Sequence, residues 1–146
     1  MKKLLFTLLL IIGFSCSSEQ TDFNAENIAE IEAYISKNNL DAKKTVSDLY
    51  YIINSSGNGN FPTFNSNVTI AYRGYFLNQE TFDASDNATF NLQGVIPGFS
   101  EAVTLLKPGG SGTFILPSKI GYGNSGAGKI KGGQVIIFDI TLKSIN

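Results

Sequence analysis

The chain contains no histidine, a single cysteine and no long apolar run, and each shortage removes a class of function. Without imidazole there is no Ser-His-Asp or Cys-His nucleophilic machinery and no nitrogen ligand for zinc. One cysteine cannot close an internal disulfide, so the fold must hold by packing. The longest apolar stretch, Leu4 to Phe14, is too short to cross a bilayer as a helix. With 11 basic and 12 acidic residues spread along the chain, no polyanion-binding surface is expected, and nucleic acid is excluded as a partner. No two carboxylates stand at a spacing suited to glycoside hydrolysis or a divalent metal, and Asp83 with Asp86 reads as a turn. No metal and no cofactor are therefore expected.

The 146 residues amount to one domain's worth of chain. Lys2-Lys3, the apolar run and Ser15-Cys16-Ser17-Ser18 have the charged, hydrophobic and small-residue regions of an export signal. Cys16 stands where a bacterial lipobox would put it, although Gly13 occupies the position usually held by leucine. The expectation is a lipoprotein signal over 1–15, acylation at Cys16, and an exported protein anchored to a bacterial membrane, the outer membrane in the first instance, on its periplasmic or surface side. Ordinary secretion is the alternative. A polar tether follows over 16–24, then an N-terminal helical segment over 25–46. There Ile28, Ile31, Tyr34 and Ile35 form one apolar face, with Asn38-Asn39 as the stop.

After that the period changes. Leu49 to Ile53, Val68 to Tyr72, Gly112 to Leu116 and Val135 to Leu142 read as strands. Pro97 to Leu106 is the one short helix among them, opening on a Pro-Gly step and stopping at Lys107-Pro108-Gly109-Gly110. Gly123 to Lys129 matches most of a Walker A loop, but Ile130 replaces the magnesium-binding hydroxyl and a strand, not a helix, follows. The glycines instead suit a tight flap over a pocket. The fold class expected is α+β, with a short helix covering one face of a curved antiparallel sheet.

Seven phrases then fall in one order: Ile70-Ala71-Tyr72-Arg73-Gly74, Phe82-Asp83-Ala84-Ser85, Ala88-Thr89-Phe90-Asn91-Leu92, Val95-Ile96-Pro97-Gly98-Phe99, Lys107 to Pro117, Gly121-Tyr122-Gly123 and Ile137 to Leu142. Together they resemble the FKBP-type peptidyl-prolyl isomerases over about residues 47–143. The resemblance implies an FKBP-like domain over 47–146 that speeds rotation about X-Pro bonds of exported proteins without covalent intermediate, metal or cofactor. It implies a pocket for the proline ring lined by Tyr72, Phe82, Phe90, Val95, Phe99, Ile130 and Phe138. It also implies an Ile96 N–H facing a substrate carbonyl, a Tyr122 hydroxyl at the carbonyl beside the rotating bond, and Asp83 as acceptor and dipole at the cleft edge. Partners would be proline-containing segments of envelope or surface proteins, the membrane through the lipid on Cys16, and a macrolide as a further ligand class.

Two other readings stay open on the residues. One is a peptide-gripping module of the same fold with little turnover, and the other a structural β domain in which Phe90, Ile96 and Phe138 are plain core. The chain also departs from the family pattern. Phe99 stands in place of a tryptophan, Lys131-Gly132 replaces a Pro-Pro pair, and the flap is one residue short, which implies a somewhat deeper pocket and a more mobile, more polar flap.

Overall fold

The computed structural model describes residues 22–146, so the expected signal over 1–15, Cys16 and the front of the tether lie outside the described residues. The elements run α1 (Asn24–Lys37), β1 (Lys43–Lys44), β2 (Tyr50–Ser55), β3 (Asn67–Tyr75), β4 (Thr81–Asn91), α2 (Pro97–Thr104), β5 (Ser111–Leu116) and β6 (Ile136–Ile145). All strand pairings are antiparallel and the sheet order is β1-β2-β5-β6-β3-β4. This is the α+β architecture expected, with the two helices on opposite faces of one sheet.

Strand alternation gives each face its own core. Toward α2 point Val68, Ile70, Phe114, Leu116, Ile136, Phe138, Ile140 and Leu142, joined by Phe99, Ala102 and Val103 of the helix. Toward α1 point Tyr50, Tyr75, Ile115 and Ile137, joined by Ile31 and flanked by Ile28, Tyr34 and Ile35. The apolar face read from the sequence is thus the face α1 lays on its own sheet. Full burial of a side chain such as Ile31 contributes about 1.5–3 kcal/mol. Glu26 in the first turn and Lys37 in the last suit the helix dipole. The helix ends as expected: Asn38 Nδ2 donates to the Tyr34 carbonyl at 2.8 Å, and Asn39 takes a left-handed φ of 51°.

α2 begins with Pro97 in its first turn, where the missing N–H costs no helical hydrogen bond. It stops before Lys107-Pro108-Gly109, where Gly109 turns left-handed at φ 80° and donates to the Leu142 carbonyl at 2.7 Å. That bond ties the end of α2 to β6.

The region around Asp83 departs from the sequence reading. Thr81–Asn91 is one strand, and Asp83 with Asp86 is not a turn. Its Asp, Ser and Asn residues signal turns locally, but pairing with β3 overrides that preference on an edge strand that exposes much of its surface. The ladder accommodates them through two bulges. Gly74 faces Asp83 and Tyr75 faces Thr81, leaving Phe82 extra; Ile70 faces Ala88 and Tyr72 faces Ser85, leaving Asp86 and Asn87 opposite Ala71. Bulges bend a strand and re-aim side chains. β1 was also absent from the sequence reading; it pairs Lys43 with Tyr51 and Lys44 with Tyr50 in the stretch between α1 and β2.

Candidate active site

One cavity of about 300 Å³ opens between the sheet and the start of α2, lined by Tyr72, Asp83, Phe90, Gly94, Val95, Ile96, Phe99, Tyr122 and Phe138. Side chains from separate parts of the chain meet there. β3, β4 and β6 supply Tyr72, Asp83, Phe90 and Phe138; the approach to α2 supplies Gly94 to Ile96, and the helix itself Phe99; the loop after β5 supplies Tyr122.

The rings hold one another edge-on. Phe99 and Phe138 lie 4.9 Å apart between centroids at 82°, Tyr72 and Phe99 5.8 Å at 84°, and Phe90 and Phe99 6.0 Å at 77°. Such pairs contribute about 0.5–1.5 kcal/mol each beyond the area they bury. Phe99 is therefore the hub on which the other rings lean. Gly74 makes this packing feasible, because a Cβ there would fall 2.6 Å from the Phe82 ring and 2.8 Å from that of Phe138.

The bulge at Phe82 decides the electrostatics. In a regular strand consecutive side chains point to opposite faces, so Phe82 and Asp83 could not both serve the α2 side. With Phe82 extra, its ring packs on Phe138 at 5.7 Å and on Phe76 at 5.0 Å, while Asp83, opposite Gly74, reaches the cavity. Asp83 is the only carboxylate in the lining, and its Oδ2 accepts a hydrogen bond from the Tyr72 hydroxyl at 2.7 Å. Burial first, then that hydrogen bond and the charge of Asp83, push the Tyr72 phenol up to about 12. Burial and the charge of Asp83 raise Tyr122 as well. Both phenols are thus kept as O–H donors in an apolar surround.

Ile96 is the residue just ahead of α2. Its carbonyl accepts from the N–H groups of Phe99 and Ser100, both at 3.1 Å, while its own N–H lies before the helix and outside the helical ladder. Of the residues singled out from the sequence, Phe82 and Ile130 do not line the cavity. Phe82 buttresses Phe138 and Phe76. Ile130 is buried in the same core, at a tight turn in which it and Ala127 exchange backbone hydrogen bonds of 2.9 Å. Gly94 lines the cavity and was missed; a glycine just ahead of Val95-Ile96-Pro97 carries no side-chain chemistry to signal it. The loop with the partial Walker pattern runs as turns from Gly121 and opens no helix. Among the described residues, no three Cys, Asp or Glu side chains gather as a metal site would require, and no helix is long and apolar enough to cross a membrane.

The family model described as FKBP-type peptidyl-prolyl cis-trans isomerase matches residues 59–143. The chain is 40% identical over 121 residues to a probable FKBP-type peptidyl-prolyl cis-trans isomerase FkpA of Neisseria meningitidis serogroup B, covering 78% of this chain and 44% of that protein. It is 37% identical over 114 residues to the peptidyl-prolyl cis-trans isomerase Mip of Coxiella burnetii, covering 75% and 50%. Among solved structures, FkpA from Escherichia coli superposes with a TM-score of 0.76 at 28% identity, over 84% of this chain and 60% of that one. The chain spans about half the length of the curated relatives it matches.

Proposed function

The chain belongs to the FKBP-type peptidyl-prolyl cis-trans isomerases, and from that premise we propose that its aromatic cavity accelerates rotation about X-Pro bonds in client proteins. The observation that carries the reading is the convergence of Tyr72, Phe90, Phe99 and Phe138 on one cavity whose only carboxylate, Asp83, is already held by a tyrosine hydroxyl.

An X-Pro bond turns against a barrier of about 18–20 kcal/mol because amide resonance is lost in the twisted geometry, and no covalent bond need break. In the proposed mechanism the proline ring rests on Phe99 and Phe138, which strip water from the amide and so lessen the charge separation to be surrendered. The twisted form is then bound better than either planar isomer. The Ile96 N–H meets a substrate carbonyl, and the Tyr122 hydroxyl meets the carbonyl beside the rotating bond. Asp83 fixes Tyr72 and faces the developing dipole. Neither histidine, metal nor cofactor has a part. Uncatalysed isomerisation takes on the order of tens of seconds, slow enough to delay folding. We assign the clients to exported proteins, the chain to a bacterial envelope through acylation at Cys16, and a macrolide to the same pocket as a competing ligand.

The test is isomerisation of a proline tetrapeptide. The protein should raise the rate above background, and Tyr122→Phe and Asp83→Ala should each lower kcat/KM several-fold. A background rate with tetrapeptide binding retained would replace catalysis by the gripping module of the same fold. Mass analysis of membrane-extracted protein tests Cys16, and an unacylated soluble product would remove the anchor.

A further inference from the structure

We infer that Asn27 of α1 is a positioning residue for Tyr122, clamping both ends of the loop that carries it; the inference rests on the isomerase reading above. Asn27 lies in a helix outside the stretch matched by the family model, and it is 1% exposed, an unusual position for an asparagine. Its side chain uses both of its functions on distant backbone. Oδ1 accepts from the Ser118 N–H at 2.7 Å, and Nδ2 donates to the Gly133 carbonyl at 2.8 Å.

Ser118 and Gly133 bracket the excursion between β5 and β6, and the loop ties its own neck at the same two residues. The Gly123 N–H donates to the Ser118 carbonyl at 2.8 Å, and the Gly133 N–H donates to the Gly123 carbonyl at 2.9 Å. Tyr122 stands immediately before Gly123, the shared member of that chain. The neighbouring contact is equally close: Gly133 is left-handed at φ 73°, and a Cβ on it would fall 2.5 Å from the ring of Phe23, the residue that precedes α1. A long connection without regular structure is costly to hold in one shape unless its ends are fastened. Here the fastening comes from a side chain of another element. A loop held at Ser118 and Gly133 offers Tyr122 to the cavity in one position, and positioning errors of about 1 Å are enough to reduce a rate.

The experiment is a double-mutant cycle on the full chain, with Asn27→Ala, Tyr122→Phe and the pair, read by kcat/KM on the tetrapeptide and by amide hydrogen exchange. Asn27→Ala should lower kcat/KM several-fold, chiefly through kcat, and have no further effect once Tyr122 is Phe. Exchange should quicken over residues 118–133. Tyr50→Phe, which removes the hydroxyl that donates to Glu32 at 3.0 Å and so loosens α1 elsewhere, should leave both readings near wild type. Additive losses in the cycle, unchanged exchange over 118–133, or an equal activity loss in Tyr50→Phe would each overturn the inference. If Asn27→Ala does not fold, Asn27→Ser, neutral and too short to span both Ser118 and Gly133, carries the same cycle. If the wild type does not isomerise, the isomerase reading has failed, and the cycle on tetrapeptide affinity together with exchange still judges the clamp.

Discussion

Two neighbouring rungs of the same sheet meet different fates. Tyr50, Ile115, Ile137 and Tyr75 face one another across four strands and lie beneath α1, whose Ile31 completes their burial. One residue along, Tyr51, Phe114, Phe138, Gly74 and Asp83 form a rung across five strands on the opposite face. α2 covers only part of it. The first rung is closed by a helix fourteen residues long, while the second meets one of eight that begins at the cavity mouth. The second rung also contains a residue with no side chain, Gly74, at the place where two rings must approach. A sheet face becomes a pocket where its helix stops short and its rings brace one another, and it becomes plain core where a helix lies across it.

Substitutions on the two rungs should separate stability from activity. The largest effect is expected at the hub of the open face. Phe99→Ala removes the ring on which Tyr72, Phe90 and Phe138 lean, costing about 3–5 kcal/mol of stability and lowering kcat/KM by about 10²-fold. Phe99→Leu, which keeps most of the bulk but no ring, should fold better and still lose most of the activity. An active Phe99→Leu protein would mean that apolar volume, not ring geometry, makes the pocket.

On the closed face, Ile115→Ala should cost a comparable amount, about 2–5 kcal/mol, by denaturant unfolding. Its kcat/KM, measured where the variant is folded, should stay within about twofold of wild type. A large activity loss there would show the two faces to be energetically coupled through the sheet.

How much of this was readable beforehand differs by face. Val95 to Phe99 is contiguous, so the approach to α2 and its pocket-lining residues stand together in the sequence as they do in space. The apolar stripe at Ile28, Ile31, Tyr34 and Ile35 was equally plain, but its destination was not, since any apolar surface satisfies a stripe. The bulge at Phe82 was hidden, because an inserted residue breaks the two-residue period that signals a strand. Asn27 was hidden for another reason. An asparagine near a helix start reads as local capping, whereas its partners are backbone atoms 91 and 106 residues away.

Each face also carries one tyrosine–aspartate pair, so the same small substitution can be made twice. Tyr75 donates to Asp139 at 3.2 Å, and Asp139 also accepts from the Thr113 hydroxyl at 2.8 Å. Tyr75→Phe therefore leaves Asp139 with a partner and keeps a ring beneath Arg73, 4.3 Å from its centroid. A loss of about 1 kcal/mol in stability and no change in kcat/KM are expected. Tyr72→Phe instead frees Asp83 inside the cavity, and kcat/KM should fall several-fold with little change in unfolding midpoint. Equal activity losses from the two substitutions would end the distinction between the faces.

The smallest effect is a shared one, in alkali. Burial first, then the neighbouring carboxylates, push Tyr50 and Tyr72 up to about 12, and burial with the charge of Asp139 raises Tyr75 too. Below a pH of about 10, the ordinary phenol value, these groups keep their protons in the folded and unfolded chains alike, so their contribution is constant. Above it the unfolded chain gives up protons that the folded chain retains. The unfolded state then binds fewer protons, and stability falls as pH rises through the folded values. Denaturant midpoints should drop across that window, and tyrosinate absorbance should appear late. Tyr75→Phe should remove more of the total loss than Tyr72→Phe, because deeper burial holds the Tyr75 proton to a higher pH. A larger share of the loss removed by Tyr72→Phe would mean that the open face, with its carboxylate inside the cavity, resists ionisation more strongly than the face closed by α1.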